Sequence, residues 1–331
     1  MNTRKISPAR IVLRVLGLLL ALILCLVLVL VLVPLTETEN RSTVSGSADW
    51  MSRLPDDRPL NQIVLPGTHD SATKNVQLAF FSKCQSKDIG AQLEAGFRYL
   101  DIRLGVDAVN AKLKLMHGFT NCEMDGETLY LERVLNQCYD FLDEHPSETI
   151  VFAVKQEHGG ESVAEFQSFL SAYVNAGRDY WLLTDRIPTL GEARGKLILM
   201  RRFEDEAGLG LEAGIPMLWI NQNGHDDVSQ NTVRSENGSY GLWVQDRYEY
   251  GKNDKWNAFL AGVQTAAAQA QDTDVCIHFL STKGTAAYGH PYRFAHSLNA
   301  RLMKSGEPLQ GWVIVDFASA PLAARIYESN F

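Results

Sequence analysis

Short apolar runs alternate with stretches of helical period along most of the chain. One helical stretch carries apolar residues from Leu131 to Leu142 and stops at His145-Pro146, and a second runs from Val163 to Tyr173. The short apolar runs are typical of strands that are buried on both faces, as in a parallel sheet. In chain order these runs are QIVL, RYLDIRL, LKLMHG, TIVFAVK, KLILMRR, MLWI, GLWVQD, VCIHFLS and GWVIVDF.

Eight or nine strands that alternate with helices over about 280 residues predict a single α/β barrel. The link between RYLDIRL and LKLMHG is too short for a crossover helix, so that pair should form a hairpin. We therefore predict a distorted (β/α)8 barrel of the TIM type over residues 49–331.

An uncharged apolar run occupies residues 15–35. At about 1.5 Å per residue, a helix of this length matches a hydrocarbon core of roughly 30 Å. Four basic residues lie within residues 1–14, and this charge bias predicts a cytosolic tail, a single transmembrane helix and a domain on the far side of the membrane. The alternative is a cleaved signal peptide, whose apolar core is usually shorter, about 7 to 15 residues.

Residues 36–48 are small and polar and lack apolar periodicity, which predicts a flexible linker before the barrel. The chain has 31 basic and 39 acidic residues. This balance argues against nucleic acid as a partner and means that an anionic substrate must be held by a few local cations. We expect a monomer.

Four cysteines lie outside the apolar run, in a compartment that permits disulfides. We expect a bridge between Cys84 and Cys122, with unpaired buried cysteines as the alternative. Asn40 and Asn237 begin glycosylation sequons.

Polar side chains of catalytic type follow strand after strand. Taken singly, each has an ordinary structural explanation, such as a surface ion pair. The carboxyl ends of parallel barrel strands meet at one mouth, however, so these side chains should share one pocket. The candidate residues are His69, Asp70, Asp101, Arg103, His117, Lys155, Arg201, Asp246, Tyr248 and Asp316.

Two histidines beside an arginine can cleave a phosphodiester. One imidazole removes a proton from the attacking hydroxyl and the other protonates the leaving oxygen. Arg103 would stabilise the phosphoryl oxygens, and Asp316 would orient one imidazole. The sequence shows no zinc-ligand spacing and no Gly-x-Ser-x-Gly motif, so we expect neither a metal site nor a serine hydrolase. The residues left to bind a polyhydroxylated ring are Lys155, Arg201, Asp246 and Tyr248.

The chain resembles the phosphatidylinositol-specific phospholipases C of the bacterial type, the X-domain family. The resemblance covers most of residues 49–331 and implies a distorted TIM-type barrel that acts on phosphatidylinositol or a glycosyl-phosphatidylinositol in a membrane. The motifs that carry it are LPGTHDSAT, GFRYLDIRL, LMHG, FLDEHPSETIVFAVKQE, DRIPTLGEARGKLILMRRF and VQDRY.

The resemblance implies a role for each candidate residue. His69 would be the general base, with Asp316 behind it, and His117 the general acid, supported by Asp70. Arg103 would bind the phosphate. The residues implied to contact the substrate are Lys155, Arg201, Asp246, Tyr248 and Asp101.

The implied reaction is attack of the inositol 2-hydroxyl on phosphorus, which expels diacylglycerol and leaves a 1,2-cyclic phosphate. Eukaryotic signalling relatives carry Glu-x-Asp, whose carboxylates hold calcium, where this chain has Asp101-x-Arg103. The arginine at that place implies cleavage without a metal cofactor. The alternatives are a non-catalytic barrel that binds lipid or glycan and a glycerophosphodiester phosphodiesterase, whose metal motifs this sequence lacks.

Overall fold

The computed structural model describes residues 7–32, 48–157, 159–223, 231–234, 240–285 and 290–331. The chain divides into two units, Met1–Glu39 and Asn40–Phe331. The described helices are α1 Pro8–Leu32, α2 Ala79–Ser82, α3 Ile89–Glu94, α4 Leu131–Glu144, α5 Val163–Ala176, α6 Leu190–Ala193, α7 Lys252–Gln269, α8 Pro291–Lys304 and α9 Ala320–Tyr327.

Most strands of the second unit belong to one curved sheet. Their bounds are β1 Leu65–Thr68, β2 Tyr99–Asp107, β3 Lys112–His117, β4 Thr120–Asn121, β5 Glu123–Met124, β6 Glu127–Thr128, β7 Ile150–Gln156, β8 Trp181–Leu182, β9 Leu197–Arg201, β10 Ile215–Pro216, β11 Asn231–Arg234, β12 Gly241–Gln245, β13 Val275–Phe279 and β14 Trp312–Val315.

Eight parallel strands form the wall of the barrel, in the spatial order β10, β9, β7, β2, β1, β14, β13 and β12. The last strand, β14, pairs with the first, β1, so the chain closes on itself there. Within the part of the chain that the structure describes, no pairing joins β10 to β12, and β11 runs antiparallel along the free side of β12. The barrel is therefore distorted, as the strand pattern predicts, and its wall is interrupted between β10 and β12.

The hairpin predicted between the second and third apolar runs is present. Strand β3 is antiparallel to β2, with Leu104 opposite Leu115. This register returns His117 to the level of Ile102 and Arg103. The prediction that His117 ends a parallel strand is wrong: β3 is antiparallel, and the histidine reaches the mouth because the chain reverses.

Two of the predicted runs are displaced from the observed strands. QIVL lies mostly before β1, which begins at Leu65, and MLWI follows β10 and lies outside the strands. The two predicted helices are observed as α4 and α5.

The strands alternate between two packed clusters because successive side chains point to opposite faces. On β7, Val151 and Ala153 belong to the inner cluster, whereas Ile150, Phe152 and Val154 pack in the outer cluster with side chains of α4 and α5. Burial of apolar surface on both faces drives the folding of the barrel and fixes the phase of every strand.

Helix α1 begins before the predicted apolar run and has a stretch, Pro8–Leu28, long and apolar enough to cross a membrane. A signal sequence near the amino terminus has the same properties, so the anchor stays a prediction. Residues 33–35, most of the predicted linker and both sequons lie outside the described residues.

The cysteine bridge predicted from the sequence is wrong. Cys84 and Cys122 are both buried free thiols. Cys122 packs in the outer apolar cluster, whereas Cys84 lines a cavity at the mouth of the barrel. The alternative of unpaired buried cysteines holds for both.

Candidate active site

Strand β1 and the turn after it place the first two polar side chains at the mouth. Gly67 is required in β1, since a Cβ there would lie 2.8 Å from Tyr99 Cβ and against Ile314. Asp70 has a left-handed backbone, with φ of 43°, and its carbonyl accepts a hydrogen bond from Thr73 Oγ1 at 2.6 Å. A strained residue held by its neighbours in this way is common in functional sites.

His69 is held on both ring nitrogens. The pairing of β1 with β14 puts His69 beside Asp316, and its Nδ1 lies 2.8 Å from Asp316 Oδ1. Its Nε2 lies 3.0 Å from Arg103 Nη2. Since a guanidinium can only donate, this contact is a hydrogen bond only when the imidazole is neutral with its proton on Nδ1. Protonation of Nε2 therefore requires Arg103 to turn away.

The carboxylates around His69 favour its protonated form. Burial alone would lower the pKa of this imidazole, but Asp70 and Asp316 outweigh burial and raise the pKa of His69 to about 9. Asp70 Oδ2 lies 3.3 Å from Nε2. His69 is thus a strong base. Asp316 orients its ring, and Asp70 stabilises its protonated form.

His117 faces His69 across the site. The ring centroids are 6.4 Å apart and the planes lie at 83° to one another. His117 Nδ1 lies 2.7 Å from the carbonyl oxygen of Ser82 and 3.4 Å from Asp70 Oδ2. Because these contacts engage Nδ1, Nε2 is the nitrogen that can exchange a proton with a ligand.

Arg103 lies among three carboxylates. Its Nε is 2.8 Å from Asp70 Oδ1, its Nη2 is 3.0 Å from Asp101 Oδ2, and its Nη1 is 3.7 Å from Glu157 Oε1. Burial opposes the charge, but these carboxylates raise the pKa of Arg103 above its usual range. Asp101 is itself fully buried and also accepts from Arg202 Nη1 at 3.1 Å. Burial would raise the pKa of Asp101, but Arg103 and Arg202 outweigh it and lower that pKa.

A cavity of about 630 Å³ opens in front of these groups. Asp70 and Asp101 do not line the cavity. They are buried carboxylates that pair with Arg103. The candidate residues that line the cavity are His69, Arg103, His117, Lys155, Asp246, Tyr248 and Asp316.

Arg201 is the candidate residue that the structure does not bring to the site. On β9, Ile198 and Met200 face the inner cluster, so the next inward position is Arg202. Arg202 lines the cavity, whereas Arg201 donates through Nη1 to the carbonyl oxygen of Phe203 at 2.7 Å. The sequence alone does not give the phase of this strand, because its apolar residues are buried on both faces.

Sequence reasoning also missed Glu157 and Trp219. Glu157 lies two positions after Lys155, and its Oε2 is 2.8 Å from Lys155 Nζ. Burial would raise the pKa of Glu157, but Arg103 and Lys155 lower it. The Trp219 ring stacks 3.8 Å from the Arg202 guanidinium carbon, and its Nε1 donates to Asp246 Oδ2 at 3.2 Å. No local sequence signal marks Trp219, because its partners are distant in sequence: Arg202 follows β9 and Asp246 follows β12.

The rim of the cavity is apolar on one side. Leu78, Phe81 and Phe119 line the cavity, and their side chains are 57%, 46% and 73% exposed. Large exposed apolar side chains around a polar cavity suit a ligand that carries both a polar headgroup and acyl chains.

Two groups of described side chains have the composition and spacing to hold a metal ion. The first consists of His69, Asp70 and Cys84, and the second is a more exposed group, Glu94, Glu144 and His145. In the second group His145 is already engaged, by Asp49 at 2.8 Å and by Glu94 at 3.3 Å.

Comparison with known proteins shows which family the chain is similar to. Residues 57–203 match the sequence model of the phosphatidylinositol-specific phospholipase C X domain. The 1-phosphatidylinositol phosphodiesterase of Staphylococcus aureus (strain Newman) is 28% identical over 302 residues, which cover 85% of this chain and 94% of that protein. The protein of the same name from Listeria monocytogenes is 30% identical over 225 residues, 62% of this chain and 64% of that protein.

The solved structures agree with this assignment. A phosphatidylinositol-specific phospholipase C from Staphylococcus aureus, with pentafluoro-Phe incorporated, superposes with a TM-score of 0.72 at 26% identity, covering 86% of this chain and 98% of that one. Residues 57–203 therefore match the phosphatidylinositol-specific phospholipase C X domain, and most of the chain is similar to the bacterial proteins of this type.

Proposed function

We propose that this protein cleaves phosphatidylinositol, or a glycosyl-phosphatidylinositol, to diacylglycerol and inositol 1,2-cyclic phosphate. The observation that carries the proposal is the pair of imidazoles, His69 and His117, whose ring centroids are 6.4 Å apart beside one guanidinium. The names of the Staphylococcus and Listeria relatives support the choice of lipid.

In the proposed mechanism, His69 Nε2 takes the proton of the inositol 2-hydroxyl as its oxygen bonds to phosphorus. Asp316 stabilises the imidazolium that forms. His117 delivers a proton from Nε2 to the glycerol oxygen as the bond from phosphorus to that oxygen breaks. Arg103, held in place by Asp70, donates to the phosphoryl oxygens as their negative charge grows. Because the nucleophile belongs to the substrate, its attack needs little additional ordering.

We assign the inositol ring to the polar side chains along the rest of the cavity. Lys155 and Asp246 would bind ring hydroxyls, and Tyr248 would stack on a ring face. Arg202 takes the place that sequence reasoning gave to Arg201. Asp101 would not contact the ring itself and would position Arg202 by accepting a hydrogen bond from its Nη1.

We propose that the reaction needs no metal cofactor. The carboxylates of Asp70 and Asp101 are already paired with Arg103 at 2.8 and 3.0 Å. Calcium requires six to eight oxygen ligands, and one oxygen of each of these carboxylates is already paired with the guanidinium. Arg103 supplies the positive charge that calcium would otherwise provide.

We further propose that residues 1–14 lie in the cytosol, that the apolar helix anchors the chain, and that residues 36–48 tether a monomeric barrel, residues 49–331, outside the cytosol. The exposed Leu78, Phe81 and Phe119 at the rim would then contact acyl chains. Protease added to intact cells should digest the barrel, and protection of the barrel would contradict this topology.

The test of the function uses the full-length protein in mixed micelles of detergent and phosphatidylinositol with excess chelator. Phosphorus NMR should show the cyclic phosphate, with phosphatidylcholine left intact as the control lipid. His69→Ala and His117→Ala should each abolish most turnover while circular dichroism shows a folded barrel. Lipid binding without product would favour the non-catalytic barrel, and activity only with added calcium would refute the role given to Arg103.

A further inference from the structure

We propose that His69, Asp70 and Cys84 form an inhibitory binding site for Zn²⁺. Three potential ligand atoms, one from each residue, lie within 4.8 Å of one another. Asp70 Oδ2 is 3.3 Å from His69 Nε2 and 4.0 Å from Cys84 Sγ. The inhibitory effect rests on the proposed function, because a metal on Nε2 would remove the base, but binding itself does not.

The three atoms match the chemistry of zinc. Zn²⁺ binds nitrogen, oxygen and sulfur at about 2.0–2.3 Å, so neighbouring ligands of a tetrahedral site lie roughly 3.3–3.8 Å apart. The separations of 3.3 and 4.0 Å within this group come close to those values. Calcium and magnesium require six or more oxygen ligands, so this site discriminates against both. His69 and Cys84 line the cavity, so water from the cavity could serve as the fourth ligand.

The surroundings already orient two of the ligands. Asp316 accepts from His69 Nδ1 at 2.8 Å, which directs the Nε2 lone pair into the site, as carboxylates do behind zinc-bound histidines. Arg103 Nε engages Asp70 through Oδ1 at 2.8 Å, so Oδ2 remains on the side of the cysteine.

The backbone of Cys84 is fixed as well. Its N–H donates to Thr73 Oγ1 at 3.0 Å, and its carbonyl accepts from the N–H of Phe317 at 2.7 Å. These bonds hold the thiol beside Asp70 without a disulfide. Binding exchanges the thiol proton for the metal: a zinc–sulfur bond forms, and the proton passes to solvent.

The charge around the site tolerates a cation. Four carboxylates lie on or near it, those of Asp70, Asp101, Asp316 and Glu157, and the cations paired with them are Arg103, Arg202 and Lys155. With neutral imidazoles the sum is one negative charge. Zinc would displace the Arg103 contact on His69 Nε2, and Asp101 would retain the guanidinium.

The first experiment measures binding without reference to activity. Chelator-treated full-length protein in detergent is titrated with Co²⁺, which reports a thiolate ligand through a sulfur-to-metal charge-transfer band. The band should appear in the wild type and in Cys138→Ser, a buried free thiol in the outer cluster, and be lost in Cys84→Ser. If Cys84→Ser fails to fold, Cys84→Ala provides the same comparison.

The second experiment measures Zn²⁺ inhibition of phosphatidylinositol cleavage, normalised to the rate of each variant. Chelator should reverse the inhibition, and Cys84→Ser should raise the half-inhibitory zinc concentration at least about tenfold. Equal sensitivity of the wild type and Cys84→Ser, or a Co²⁺ complex without the thiolate band, would overturn the proposal. Loss of binding in His145→Gln instead would place the metal at the exposed group. If the protein shows the charge-transfer band but does not cleave phosphatidylinositol, the proposed function is refuted and the zinc site is retained.

Discussion

Two arginines of β2 and the residue before it lie toward opposite ends of the barrel. Arg98 directly precedes the strand and is fully buried. Its Nε donates to Glu148 at 2.9 Å, its Nη1 donates to the carbonyl oxygens of Leu93 and Phe97, and its Nη2 donates to that of Ala48. Five positions later, Arg103 is held by carboxylates and retains an exposed edge, 13% of its side chain, on the cavity.

The contrast shows what distinguishes a guanidinium that only stabilises the fold from one that stays accessible at the cavity. Backbone carbonyls take most of the donors of Arg98, so the residue ties three segments together and keeps no donor for a ligand. Carboxylates and one imidazole surround Arg103, so its charge is held in place while the contact with His69 remains exchangeable. The same side chain therefore stabilises the fold at one end and is available for chemistry at the other.

The largest expected effect is on turnover, from Arg103→Lys. Lysine keeps the charge but loses the planar pair of donors, so kcat should fall about 10³-fold. Initial rates on phosphatidylinositol micelles measure the loss, and thermal unfolding should show a folded protein. Arg98→Lys is the matched control, with lowered stability and near-normal kcat once folded. A kcat above a tenth of the wild-type value in Arg103→Lys would show that a point charge suffices at the mouth.

At the other end of the barrel, Glu148→Gln should destabilise the fold by about 3–5 kcal/mol, because it leaves the buried Arg98 charge without its counter-ion. Glu148 also accepts from the N–H of Met51 at 3.1 Å, so the segment before β1 should loosen as well. Chemical denaturation measures the change. Glu157→Gln at the mouth serves as the comparison and should cost less stability, since Arg103 keeps Asp70 and Asp101. Equal losses of stability in the two variants would show that the ion pairs at the two ends of the barrel do not differ in this way.

Arg201 and Arg202 are neighbouring arginines at the end of β9 and allow a third comparison. Arg202→Met should lower kcat/KM about 10- to 100-fold, since the proposed charged hydrogen bond to the substrate and the stacking on Trp219 would both be lost. Arg201→Met should leave kcat/KM within about twofold, because Arg201 faces away from the cavity. Steady-state kinetics on the same micelles separate the two variants. The reverse ranking would contradict the assignment of Arg202 to the substrate.

The Arg201 and Arg202 pair also shows how far the sequence could predict the site. The alternation of runs correctly predicted the barrel, α4, α5 and the hairpin, because burial on both faces of a strand leaves a clear pattern. It did not fix which of two adjacent arginines points inward, since that depends on the phase of the pleat. The phase follows from Met200, which faces the inner cluster.

Tertiary contacts decide the remaining features. Trp219 contacts Arg202 and Asp246, which follow β9 and β12, and the free thiol of Cys84 follows from where the loop before α3 lies. His117 was selected for its position at a strand end, yet the antiparallel register brings it to the mouth. Residue type and spacing were sufficient to identify most of the candidate residues, but only the packed structure shows where each side chain points.

The pH dependence of kcat/KM tests the role proposed for His69. His69 must be neutral to accept a proton, and neighbouring carboxylates raise its pKa to about 9, so kcat/KM should rise with pH toward that value. Asp316→Asn removes one of those carboxylates and should lower the pKa of His69, which moves the rising limb of the profile to lower pH by about one unit. The maximum should fall as well, because the imidazole loses its charged partner. Rates measured across the pH range in chelator test the shift, with Glu148→Gln as the control whose limb stays in place. An unchanged limb in Asp316→Asn would mean that another group sets the pH dependence.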